Sequence, residues 1–141
     1  MYQPFVITCI TWPEVTDKVA YTNTQLLREA LNSQLNLSSY GDLQGIAFVY
    51  IITPPEDVIH QETFSYSRKN RELYIEMRLP YEVVINRSLP EVLQLMASKY
   101  LQTLEEYLPK KKIPHFDQAR FVADVRALFE REAWFQEAMV G

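Results

Sequence analysis

Seven consecutive apolar residues, Ile46-Ala47-Phe48-Val49-Tyr50-Ile51-Ile52, constrain this chain more than any other feature. Gly45 precedes the run and Pro54-Pro55 stops it. Successive side chains of a strand point to opposite faces. An unbroken apolar strand therefore needs cover on both faces, or a helix on one and a partner on the other. The run is far short of the ~20 residues that a membrane-spanning helix needs. It predicts a central strand in a sheet packed against helices.

The remaining pattern supplies the other elements. Phe5 to Thr11 is rich in β-branched residues and is closed by Trp12-Pro13, which predicts a first strand. Thr22 stands three before Gln25 as a possible capping box, and Leu26, Leu27, Ala30, Leu31 and Leu35 follow at helical spacing. That predicts a helix near 23–37. Two period-two segments come after the apolar run. Thr63 to Ser67 alternates polar with aromatic, and Leu73, Ile75, Met77 and Leu79 alternate with Glu72, Tyr74, Glu76 and Arg78. Between them Arg68-Lys69-Asn70-Arg71 predicts a hairpin turn, with Asn70 tolerant of a left-handed backbone. Pro80 interrupts the second strand, and Tyr81 to Ile85 is expected to continue it as a short bent extension. Ser88-Leu89-Pro90-Glu91 is a helix start, with Ser88 as cap and Glu91 reaching back. The helix it opens ends at Pro109. Another begins around Pro114–Asp117, carries Phe121, Val125, Leu128 and Phe129, and is extended by Trp134, Phe135 and Ala138. The order β-α-β-β-β-α-α predicts one α+β domain over residues 1–141, with about four strands in an antiparallel or mixed sheet and helices on one face. The pattern leaves the strand order open.

Chemistry is sparse. The two histidines, His60 and His115, adjoin loop-like sequence, and Cys9 sits in a strand, where a small core residue is the simplest role. No nucleophile, base and orienter are brought together by spacing. His60 and Glu62 form an i, i+2 pair that arises commonly by chance and cannot by itself hold zinc. The acid pairs Glu56-Asp57, Glu72/Glu76 and Glu105-Glu106 read as solvated charge rather than as a hydrolytic pair. Lys110-Lys111-Lys112 follows a helix C-terminus, where cations suit the dipole, and lacks the breadth of a nucleic-acid patch. No catalytic residue, cofactor site or metal site is predicted. No secretory signal is evident, and a cytoplasmic protein is expected.

Charge is more informative. The 141 residues carry a net charge of −4. Residues 1–67 hold seven acids and two bases, the rest eleven acids and twelve bases. An acidic half repels nucleic acid and suits a basic protein. Solubility alone also accounts for it.

The stretch from Arg71 to about Phe129 resembles bacterial polymorphic-toxin immunity proteins. The resemblance lies in the strand Glu72–Leu79 followed by Pro80-Tyr81-Glu82, the helix from Pro90 to Leu108, the lysine-rich link Pro109–Ile113, then Phe116-Asp117 and the helix with Phe121–Val125. It implies a small cytoplasmic α+β protein that binds and neutralises a cognate toxin domain, often a nuclease, without activity or cofactor. The N-terminal half shows no matching motif, and no binding residue carries over from the family.

Glu14, Asp17, Glu56, Asp57 and Glu62 are the acids expected to meet a basic toxin. If the first two strands are parallel neighbours, the loops after them leave one end of the sheet together; if antiparallel, no single patch forms. Tyr74, beside Glu72, Glu76 and Arg78, is the candidate aromatic contact. Two other classes stay open on the residues alone. One is a ligand-binding or enzymatic domain with a pocket between sheet and helices, and the other a self-associating adaptor.

Overall fold

A computed structural model describes residues 3–11, 18–53, 62–84 and 87–131. The elements are β1 (Phe5–Thr11), α1 (Lys18–Gln34), β2 (Gly45–Thr53), β3 (Thr63–Ser67), β4 (Glu72–Pro80), α2 (Leu89–Tyr107) and α3 (Gln118–Glu130), with short 3-10 turns at Leu37–Tyr40, Tyr81–Val83 and Leu108–Lys110. This is the predicted α+β order. The strands form one mixed sheet in the order β1-β2-β4-β3. β2 is parallel to β1 and to β4, while β3 is antiparallel to β4. The apolar run is thus a central strand, as its composition requires.

The helices share one side of the sheet. Toward them point Phe5 and Ile7 of β1, Phe48, Tyr50 and Ile52 of β2, and Leu73, Ile75, Met77 and Leu79 of β4, all buried. Tyr50 is fully buried, and its hydroxyl donates to the Met96 carbonyl of α2 at 2.5 Å. The Phe48 ring lies 4.7 Å from both Tyr50 and Tyr100. Phe121 of α3 stacks on Phe5 at 6.2 Å. Offset and edge-on rings of this kind add to what their burial alone supplies.

Helix boundaries follow local chemistry. α2 carries the predicted capping box: the Glu91 amide donates to Ser88 Oγ, and the Glu91 carboxylate accepts from the Ser88 amide. The Ser88 hydroxyl also donates to that carboxylate, and this bond, followed by the one from the Ser88 amide, holds the Glu91 acid below its usual range. α3 is capped by Asp117, which accepts from the Arg120 amide at 3.2 Å. α1 departs from expectation. It begins at Lys18, so Thr22 is an interior position and no cap, and it ends at Gln34. The expected first turn is instead a tertiary contact: Asn23 is buried, and its amide donates to the Leu89 carbonyl at the start of α2. Trp134, Phe135 and Ala138 lie outside the described residues.

The hairpin has two corrections. Its left-handed residue is Arg71, at φ 54°, rather than Asn70. That conformation aims the Arg71 carbonyl at the Gln44 amide, 2.6 Å away, and ties the turn to the start of β2. The extension expected from Tyr81 to Ile85 is not a strand over its described residues, 81–84, and Ile85 lies outside them. β4 ends at Pro80, and Tyr81–Val83 turns as a 3-10 segment closed by Val84 N–H to Tyr81 O. Pro80 lacks the N–H that would carry the ladder onward.

Two further ties fix the ends of the fold. β1 is an edge strand, and the Ile46 amide bonds inward to the Pro4 carbonyl. By the alternation of a strand, the amide and carbonyl of Phe5 face outward. Asn32 of α1 meets both: it accepts from Phe5 N–H at 3.0 Å and donates to Phe5 O at 2.9 Å. Elsewhere Gly41, at φ 140°, bridges Phe116, and Asp42 N–H donates to the His115 carbonyl. A Cβ on Gly41 would fall 1.8 Å from that carbonyl oxygen, so only glycine fits.

The two buried tyrosines differ in a way that stability measurements resolve. Tyr50 donates a hydrogen bond, whereas the buried Tyr100 hydroxyl has no hydrogen-bond partner among the described residues. Tyr50→Phe should cost about 1 kcal/mol or more in urea unfolding, because Met96 keeps only its helical bond. Tyr100→Phe should be neutral or stabilising, since it removes a hydroxyl that is buried without compensation.

Candidate functional site

The parallel pairing of β1 with β2 places Thr11 opposite Ile52. Both strands therefore finish at the same end of the sheet, and β4 finishes there too, with Pro80 opposite Thr53. Of the two arrangements open from the sequence, this is the one in which the segments after β1 and β2 depart together. Glu14, Asp17, Glu56 and Asp57 lie outside the described residues, as does His60. Glu62 stands just before β3, and its carboxylate accepts from Lys99 Nζ of α2 and from the Arg78 amide, each at 3.3 Å. It is the one acid of the five whose environment is described, and it is engaged within the chain.

His115 is exposed and contributes through its carbonyl to the Gly41 tie. Cys9 packs, partly buried, against the core. Among the described residues no three His, Cys, Asp or Glu side chains gather where one ion could be held. No described helix is long and apolar enough to cross a membrane. Glu105 pairs with Arg126 of α3, and Lys110 lies over the Tyr107 ring at 5.2 Å.

Tyr74 belongs to the face of the sheet that no described helix covers. The register sets its outward side chains in rows. Val6, Ala47, Tyr74 and Ser65 form one row; Thr8, Val49, Glu76 and Thr63 form the next. Among the described residues the exposed large hydrophobics are Val6 at 46%, Ile10 at 53% and Tyr74 at 42%, and all three lie on this face. Further along β2, Val49, Ile51 and Thr53 are buried, and Arg78 donates to Thr53 Oγ1 at 3.3 Å. Along β2 the accessible portion is therefore the half nearer Gly45, while on the edge strand β1 Ile10, opposite Ile51, stays exposed. The Tyr74 phenol is hydrogen-bonded to Glu76, and its pKa is raised by partial burial and then by that carboxylate.

A second feature lies at the far end of the helical layer. Tyr40 is buried and donates to Asp124 of α3 at 2.6 Å. The Arg120 guanidinium lies over its ring, 4.4 Å from the centroid. Beside this pair opens a pocket of about 240 Å³ lined by Gln34, Asn36, Asp124 and Arg131 among others. It is set between α1 and α3, not between sheet and helices. Burial, followed by the bond to Asp124, pushes the Tyr40 phenol up to about 12.

Comparison with known proteins bears on the whole of this architecture. The family model described as immunity protein 44 matches residues 3–131. The chain belongs to the immunity protein 44 family. The match spans every described element from β1 to α3 and so includes the N-terminal half, which carried no recognisable motif. No curated protein and no solved structure matches.

Sequence reasoning missed Tyr40, Asp124 and the Asn32 clamp. Tyr40 and Asp124 are 84 positions apart, and Asn32 reaches across 27, so no local spacing announces either contact. The exposed, outward position of Tyr74 was legible from strand alternation.

The Tyr40–Asp124 bond gives a pH prediction. A phenol whose folded pKa exceeds its ordinary value of 10.0 contributes stability that is present below pH 10 and lost as pH rises through about 12. The urea midpoint should fall across that interval, and Tyr40→Phe should fall less steeply while starting lower.

Proposed function

We propose that this chain binds a cognate toxin domain and neutralises it by direct protein–protein contact. It acts in the cytoplasm as a binder, without catalysis or cofactor. Family membership over residues 3–131 is the observation that carries this reading. The partner is a basic domain, of the kind a nuclease presents because it must hold phosphates. The net charge of −4 supports that choice, since opposite fields raise the rate of encounter and suppress wrong partners. The acids Glu14, Asp17, Glu56 and Asp57 steer the approach. Parallel β1 and β2 support their grouping, because both strands finish at one end of the sheet.

The direct test is co-purification of the tagged protein with a toxin from the native host, followed by co-expression of the two. Growth of cells expressing the toxin should depend on this protein. Recovery of no toxin, or no protection on co-expression, would sink the proposal. Replacing Glu56 and Asp57 together by Lys should slow association while leaving stability within about 1 kcal/mol. The slowing should fade at high salt, where charges are screened within a few ångströms. Association rates unchanged at every salt concentration would remove the steering role of these acids.

A further inference from the structure

Resting on that function, we infer that the helix-free sheet face around Tyr74 is the docking surface for the toxin, and that it seats an arginine side chain of a basic segment. Two of the three exposed large hydrophobics among the described residues, Val6 and Tyr74, share one row here, while Ile10 lies four residues further along β1 on the same face; exposed apolar side chains rimmed by charge suit a protein contact. The patch has relief. Along β2 the outward residues of its accessible half are Gly45 and Ala47, the smallest available, flanked by Val6 on β1 and Tyr74 on β4. Strands lie about 4.8 Å apart, so Val6 and Tyr74 stand roughly 10 Å from each other across a shallow trough.

Gly45 is not required by the fold. A Cβ there would meet Pro4 O at 3.4 Å and Glu72 Cγ at 3.6 Å, which is ordinary contact, and its backbone is not left-handed. A strand glycine without a local reason marks a place where another chain approaches closely.

Charge selects the partner. Glu72, Tyr74 and Glu76 project from β4 on one face, about 6.8 Å from one to the next. Among the described residues neither carboxylate enters an ion pair, and Glu76 accepts from the Tyr74 phenol. Two acids flanking an exposed aromatic ring suit a guanidinium, which stacks on the ring and bonds carboxylates in its own plane. Among the described strand residues of this face the cation is Arg78, which donates to Thr53 at the closed half.

The test uses the toxin domain recovered by co-purification, immobilised for surface plasmon resonance against purified variants. Tyr74→Ala should raise the dissociation rate at least 30-fold, with little change in association, because a buried anchor acts on residence time. Ala47→Trp, which fills the trough, should do the same. Glu72→Lys with Glu76→Lys should weaken binding at least 100-fold. The control is Glu29→Lys with Glu130→Lys, an equal change of charge on exposed residues of α1 and α3, and it should not alter dissociation. Thermal unfolding confirms that each variant is folded; if Ala47→Trp is not, the exposed Tyr74→Ala decides alone. Wild-type binding with unaltered dissociation in Tyr74→Ala and in the Glu72/Glu76 double variant overturns the inference and leaves the proposed function standing. So does a wild-type dimer that Tyr74→Ala converts to monomer, since the face would then be a self-association seam. Failure of the wild type to bind any toxin overturns both.

Discussion

The hydrogen bond from Tyr50 to the Met96 carbonyl holds the two layers of this protein in register. Tyr50 sits in the middle of β2, and β2 is the only strand with parallel neighbours on both sides. Apolar contacts press strand to helix but are non-directional, so they permit sliding. A buried hydroxyl with one acceptor does not. The bond fixes where α2 lies along the strand, and from there Asn23 sets α1 against the start of α2. α3 then closes over Phe5 through Phe121, and Gly41 admits the chain that leads into it.

With all described helices on one side, the sheet presents two unlike faces. The covered face is closed by rings and aliphatics. The other exposes Val6, Ile10 and Tyr74 among the described residues. β4 makes the division plain: Leu73, Ile75, Met77 and Leu79 are buried beneath the helices, while Glu72, Tyr74 and Glu76 alternate with them on the opposite face.

How much of this was legible in the sequence depended on range. Alternation announced β4 and which of its residues would be buried, because period two is a local property. The capping box announced α2 for the same reason. Parallel pairing was not legible, since nothing within β1 or β2 records its neighbour's direction. The start of α1 was misplaced because Asn23 and Thr24 are buried by contacts with distant elements, against their local preference. The left-handed hairpin residue was assigned to Asn70 on intrinsic tolerance, and a long-range bond to Gln44 moved it to Arg71. Of the site, Tyr74 followed from alternation and the trough did not. Seeing that Gly45 and Ala47 lie between Val6 and Tyr74 requires the strand order.

The Asn32 clamp bears on how such a chain survives at high concentration. Its side-chain amide presents one donor and one acceptor to Phe5, the same pair that the peptide group of an added strand would offer. Cross-β stacking grows by templating on exposed main chain. At Phe5 the template is already occupied by an imitation of the incoming strand, and an imitation that belongs to a helix cannot be copied onward. The chain can thus carry an apolar sheet face in solution without also offering that end of its edge as a seed for fibrils.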